Sequence, residues 1–203
     1  MTHHFITISA LTLTLLLSGC GGRVPAPSNL ELKEGTAVET EFTVDTPIQA
    51  VIEDPAFGDY GRLLFPADDG YWRGKTLGEL RLTFYSHIDP DETVEIVNTL
   101  KKRALAGETI FCDIYTEEEK AADPDKEDTG MFFFRGEPGA RFAVCNAGGA
   151  FAYVGAMHDS FPHALELSKQ GYNAFALIYR PGAQTACEDL ARAVTFIFDH
   201  AEE

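Results

Sequence analysis

Alternating strand and helix patterns across residues 76–203 predict an α/β fold, a mostly parallel sheet flanked by helices. Three observations carry this. Met131–Phe134, Phe142–Cys145 and Tyr172–Tyr179 are near-continuous apolar runs, the pattern of strands covered on both faces. Amphipathic stretches with start and stop residues lie between and after them. The strands and helices alternate instead of clustering, which favours strand–helix–strand units. The 203 residues, 45% hydrophobic and 11% aromatic, are ordinary globular material for one main domain. Sixteen Lys+Arg against 32 Asp+Glu give a net charge of −16. That field repels phosphate backbones and anionic lipid, so nucleic acid is not an expected partner.

Taken in order, residues 1–19 read as a leader. Phe5–Leu17 is uncharged and apolar or hydroxylated, too short for a membrane-spanning helix and right for the apolar part of a signal peptide. Leu17-Ser18-Gly19-Cys20 resembles the bacterial lipobox, which implies a lipidated Cys20, export, and anchoring to the cell envelope. In a two-membrane cell the outer membrane is expected, because Gly21 supplies no acidic retention signal; in a one-membrane cell the expected place is the outer face of the membrane. Residues 20–29, rich in Gly, Pro and small residues, suit a flexible tether. Export permits disulfides, but Cys112, Cys145 and Cys187 are odd in number and fit neither a zinc site nor a CxxC pair. They read as buried free thiols.

Residues 30–75 read as an irregular or β lead-in, with Thr40–Val44 alternating and Asp54-Pro55, Gly58, Gly61, Pro66 and Gly70 breaking the rest. Leu80–His87 alternates as a strand. Asp89 as N-cap, Pro90 at the first helical position and Glu92 two further on then open a helix, with Val94, Val97, Leu100 and Ala104 on one face and Gly107 as its stop. Thr109–Tyr115 follows as a strand. Glu117–Asp128 holds seven acids and two lysines around Pro124 and reads as a solvated loop, its spacing unlike a calcium-binding EF-hand. After the two apolar strands at 131–134 and 142–145 comes the small-residue turn Asn146–Ala150, then a helix over Ser160–Gln170 closed by Gly171. Past Tyr172–Tyr179, Thr185 with Glu188 reads as a capping box for a last helix bearing Leu190, Val194, Ile197, Phe198 and Ala201 on one face.

The turn has two chemical uses. A dinucleotide fingerprint needs Gly at i, i+2 and i+5, and from Gly148 the chain offers Gly148, Ala150 and Tyr153 instead, with Tyr179-Arg180 where an acid should end the next strand. The other use is an oxyanion hole, two amides that receive the negative oxygen of a tetrahedral intermediate.

Ala143–Arg180 resembles the third strand, oxyanion loop, first helix and fourth strand of α/β-hydrolase esterases of the acetyl-esterase and carboxylesterase kind. Asn146-Ala147-Gly148-Gly149-Ala150-Phe151 falls on that family's His-Gly-Gly-Gly/Ala-aromatic motif. Residues 54–115 also resemble the segment preceding the core in secreted members. The resemblance implies a partial α/β-hydrolase fold over 30–203, with the core at 76–203, and amides of Gly149 and Ala150 as oxyanion donors. Gly148 would allow the turn and Asn146 would stand in for the usual His. The implied substrate is a small acyl ester or an acetylated glycan, cleaved through an acyl-enzyme with no cofactor and no metal.

A serine in Gly-x-Ser-x-Gly is absent. Ser28, Ser86, Ser160 and Ser168 lack the flanking glycines, and His87, His158, His163 and His200 form no HExxH or i, i+4 pair. The chain reaches Glu203 just after the helix that would lead into the nucleophile strand. It therefore reads as the N-terminal portion of an esterase, inactive as written, with the Phe142–Cys145 strand left as an unpaired edge open to self-association. A non-catalytic envelope lipoprotein using the half-sheet as a binding module is the alternative, and a Rossmann-like nucleotide binder the third reading.

Overall fold

The lead-in folds as helical turns where extended pieces are expected. In the computed structural model residues 40–66, 72–82 and 88–202 are described. The leader (1–19), Cys20, the 20–29 tether and residues 30–39 lie outside the described residues, as do 83–87 with Ser86 and His87. A short helix α1 (Ile48–Ile52) leads to a 3-10 run over Pro55–Leu64. Asp54 accepts the Ala56 N–H and Pro55 opens the run, while Gly58, at φ +50, kinks it. An Asp-Pro pair serves a helix start as well as a turn, which is why the sequence pattern misleads here. Thr40–Val44 is not a strand either. The Asn98 side chain takes the place of a strand neighbour, accepting the Phe42 N–H at 2.8 Å and donating to the Phe42 carbonyl at 2.9 Å.

Strands β1 (Trp72–Arg73) and β2 (Arg81–Leu82) form a two-stranded antiparallel ladder. Of the strand expected at Leu80–His87, residues 80–82 are described, and Arg81–Leu82 form β2 while Leu80 precedes it. Helix α2 (Pro90–Leu105) starts as its residues dictate, Asp89 accepting the N–H groups of Asp91 and Glu92. Thr93, Ile96, Val97 and Leu100 are its buried face, and Gly107, at φ +80, ends it.

The main sheet contains β3 (Phe111–Cys112), β4 (Gly130–Phe134), β5 (Phe142–Asn146) and β6 (Asn173–Ile178), in the spatial order β3-β4-β6-β5. It corrects the expectation of a mostly parallel sheet. Only β5 and β6 pair parallel; β3 with β4 and β4 with β6 are antiparallel. Burial on both faces was the signal for parallel strands, yet β4 and the body of β6 are buried because helices cover the sheet, whichever way a strand runs. The expected acidic loop before β4 is structured as well. Helix α3 (Glu117–Ala122) begins with a capping box of Thr116 and Glu119, and a 3-10 turn follows over Pro124–Asp128.

Helix α4 (Ser160–Lys169) joins β5 to β6, and α5 (Ala183–Asp199) follows β6. The register puts Phe132, Phe134, Ala174 and Ala176 on one face of the sheet, where Phe161 of α4 meets Phe132 edge-on at 5.1 Å. On the other face Phe133 stacks on Phe175 at 4.4 Å. The expected Thr185–Glu188 capping box is absent: Pro181-Gly182, with Gly182 at φ +106, starts α5 earlier. Thr185 therefore falls inside the first turn and donates to the carbonyls of Pro181 and Gly182. The buried face of α5 is Ala186, Asp189, Ala193 and Ile197, while Phe198 is 66% exposed. Strand β5 is outermost, with no partner on its far side among the described residues. Because β3, β5 and β6 share one direction, the segments that leave them meet on one rim.

Candidate functional site

Where β5 ends, the chain takes a backbone path that L-residues avoid. Gly149, Ala150 and Phe151 have φ of +145, +52 and +59. A Cβ at Gly149 would sit 1.9 Å from the Tyr153 carbonyl oxygen, so only glycine fits there. Gly148, expected to allow the turn, has no positive φ. Ala150 and Phe151 in the left-handed region cost about 1–3 kcal/mol each and persist only where surroundings dictate them.

Those surroundings are hydrogen bonds. The Tyr179 hydroxyl donates to the Ala147 carbonyl at 2.8 Å, and the Gly155 N–H to the Gly148 carbonyl at 3.0 Å. The Ala152 N–H bonds Gly149 and the Gly182 N–H bonds Phe151 at 2.8 Å, tying the turn to the segment leaving β6. The Gly148 N–H donates to Asp159 Oδ2 at 2.6 Å. Among the described residues the N–H groups of Gly149 and Ala150 donate to nothing, and Ala150 lies exposed beside the 48% exposed ring of Phe151. Asn146 is exposed and its side chain bonds to no described residue, so it does not hold the loop as the family's His position implies. Asp159 and Tyr179 hold it.

Among the described residues no serine is hydrogen-bonded to a histidine. Ser160 is buried with its Oγ unbonded, and Ser168 donates to the Leu165 carbonyl. His163 and His200 use Nδ1 on the carbonyls of Asp159 and Phe196. His158 is half-buried, and burial holds its imidazole below the ordinary range against the pull of Asp159. Among the described residues Cys112, Cys145 and Cys187 form no disulfide with one another, as expected, but where burial is expected only Cys112 and Cys145 are partly buried and Cys187 is exposed. Burial, then Asp159, push the Cys145 thiol up, which leaves little thiolate for attack. No cluster of His, Cys, Asp and Glu suited to a metal exists among the described residues.

A buried ionic centre, not singled out by the sequence, stands on the same rim. Asp189 is fully buried and accepts from the Arg180 N–H at 2.8 Å, Arg180 Nη2 at 2.7 Å and the Tyr115 hydroxyl at 2.7 Å. Arg180 Nη1 reaches Asp123 at 2.7 Å. Burial and the neighbouring Asp189 push the Tyr115 hydroxyl up to about 12, so it stays a donor. The signal was an acid on the apolar stripe of α5, spaced three and four residues from Ala186 and Ala193. A cavity of about 520 Å³ opens at the opposite end of the sheet, between Arg135, Phe142, Asn173 and Phe196, away from the turn.

No family model, curated protein or solved structure matches the chain.

Two outcomes are expected. Asp189→Ala leaves Arg180 buried without its main partner and costs about 3–5 kcal/mol in denaturant unfolding; a loss below about 1 kcal/mol, the scale of an exposed pair, contradicts this. The folded His158 binds its proton only below the ordinary value of about 6.5, so in that window the unfolded chain holds more protons. Above it neither form is protonated and the effect vanishes; as pH falls through it the fold loses stability. Thermal unfolding of the wild type and His158→Gln should diverge as pH drops below about 6.5, the wild type losing more, and parallel profiles contradict it.

Proposed function

We propose that these residues are the oxyanion-hole portion of an α/β-hydrolase serine esterase of the acetyl-esterase and carboxylesterase kind, exported and held at the cell envelope by lipid on Cys20. One observation carries the reading. Among the described residues two neighbouring N–H groups, of Gly149 and Ala150, find no acceptor on a strained and multiply pinned turn at the strand rim. Amides held in this way stabilise an oxygen that gains negative charge as a tetrahedral intermediate forms. The strand order supports it too. In the hydrolase fold the third strand lies between the fourth and the fifth, and β5 lies beside β6 with its other side open.

In the whole enzyme a serine oxygen attacks the ester carbonyl carbon and a histidine takes the serine proton. The carbonyl oxygen becomes the oxyanion between Gly149 and Ala150. The alcohol then leaves with that proton, and water releases the acid from the acyl-enzyme. Acetyl groups on glycans and small acyl esters are the substrates, and no cofactor or metal takes part. The sequence holds no Gly-x-Ser-x-Gly, so on this reading these residues supply the electrostatic half of the site. The open side of β5 offers a place for a further strand or a second copy of the chain.

A second reading, a non-catalytic envelope lipoprotein binding through the half-sheet, is favoured by the lack of any Ser–His pair among the described residues. Among them no helix is long and apolar enough to cross a membrane; both readings place the anchor at Cys20.

The 203-residue chain should show no saturable turnover of an acetyl ester, while a coding sequence that runs past the Glu203 codon into Gly-x-Ser-x-Gly should encode a product labelled by a serine-directed phosphonate. Turnover by the chain alone overturns the first reading. A genuine stop at that codon with matching intact mass favours the second. Cys20→Ala should move the protein out of the membrane fraction and remove the lipid mass seen by intact mass measurement; an unchanged distribution contradicts the anchor.

A further inference from the structure

Asp159 occupies the N-cap position of α4, yet its carboxylate caps nothing in that helix. An aspartate there ordinarily accepts the N–H groups of the first turn. Here it reaches back eleven residues and accepts the Gly148 N–H at 2.6 Å, while its own backbone adopts φ −135 and ψ −79. His163, one turn into α4, braces it: Nδ1 bonds the Asp159 carbonyl at 2.6 Å and lies 3.4 Å from Oδ1.

Three successive N–H groups, of Gly148, Gly149 and Ala150, leave β5. The carboxylate takes the first and leaves the next two. The carbonyls of Ala147, Gly148, Gly149 and Phe151 are each engaged by other parts of the rim. A charge-assisted bond from a carboxylate to a backbone N–H is about twice as strong as a neutral one, so this contact fixes how the first peptide of the turn is rotated. A Cβ at Gly148 would lie 3.2 Å from Asp159 Oδ2, tighter than ordinary contact, so glycine at 148 is what lets the carboxylate approach. The residue expected to tie the loop, Asn146, makes no such bond.

We propose that Asp159 is the positioning residue of the oxyanion turn. By holding the Gly148 amide it selects Gly149 and Ala150 as the two donors, and it does what the histidine of the resembled motif would do at position 146. The role rests on the functional reading above.

Residue-resolved amide hydrogen exchange on the full chain tests it, and the rate at Gly148 does not depend on any ester being cleaved, so failure here is separable from failure of the esterase reading. In the wild type Gly148 should exchange at least tenfold more slowly, relative to its intrinsic rate, than Gly149 and Ala150. Asp159→Ala should remove that difference, Asp159→Asn should restore part of it through its carbonyl oxygen, and β6 core amides such as Ala176 should stay protected in both. Equal wild-type protection across the three amides overturns the proposal, with no variant needed. Undiminished protection of Gly148 in Asp159→Ala also overturns it.

Discussion

The rim depends on one buried carboxylate. Asp189 is fully buried, and an ionised acid in that position is tolerable only if its oxygens are satisfied. Its partners come from far apart in the sequence: the backbone and guanidinium of Arg180 just past β6, and the hydroxyl of Tyr115 past β3. The Arg180 side chain extends the network to Asp123. The segment leaving β3, the end of β6 and the first half of α5 are therefore fixed together or not at all. The Gly182 amide that holds Phe151 lies two residues from Arg180, so the turn after β5 takes its position from the same centre.

Above that foundation the turn is held against its own conformational preference. Two non-glycine residues in the left-handed region and a glycine with no room for a Cβ make it costly, and neighbouring groups compensate with hydrogen bonds to its carbonyls. The distribution of those bonds is uneven. Among the described residues the carbonyls are largely engaged, while the N–H groups of Gly149 and Ala150 are not. Backbone groups left in that state face water or a ligand oxygen.

Much of the secondary structure was legible where local chemistry decides it. Asp89, Pro90 and Gly107 bound α2 as their residue types require, and Gly171, at φ +93, closes α4. Strand direction was not legible, because an apolar run reports burial on both faces and says nothing of its neighbours' polarity. The lead-in misled for a related reason: Asp54-Pro55 and Gly58 are written alike for a turn between strands and for a capped, kinked helical run. At the site, Gly148–Ala150 could be picked out by composition alone. Asp159 could not, since its partner is eleven residues away in the sequence. Nor could Tyr179, which the apolar run Tyr172–Tyr179 offers as one more apolar residue.

The turn's setting also separates the two chemistries that small residues after a strand can serve. A dinucleotide site places its glycines where a strand runs straight into a helix, so that the pyrophosphate rests on the helix N-terminus. Here α4 does not begin until Ser160, and Tyr153, Val154 and a 3-10 turn over Ala156–His158 intervene. The free amides therefore stand apart from the helix end, and the first amide of the row is already bonded to a carboxylate. What remains among the described residues is the adjacent pair of N–H groups of Gly149 and Ala150, which donate to nothing, next in sequence to the exposed Phe151. A diphosphate needs a longer row of donors and the helix end behind it. On the esterase reading proposed above, a single carbonyl oxygen, neutral on arrival and charged only as its carbon is attacked, needs only the pair.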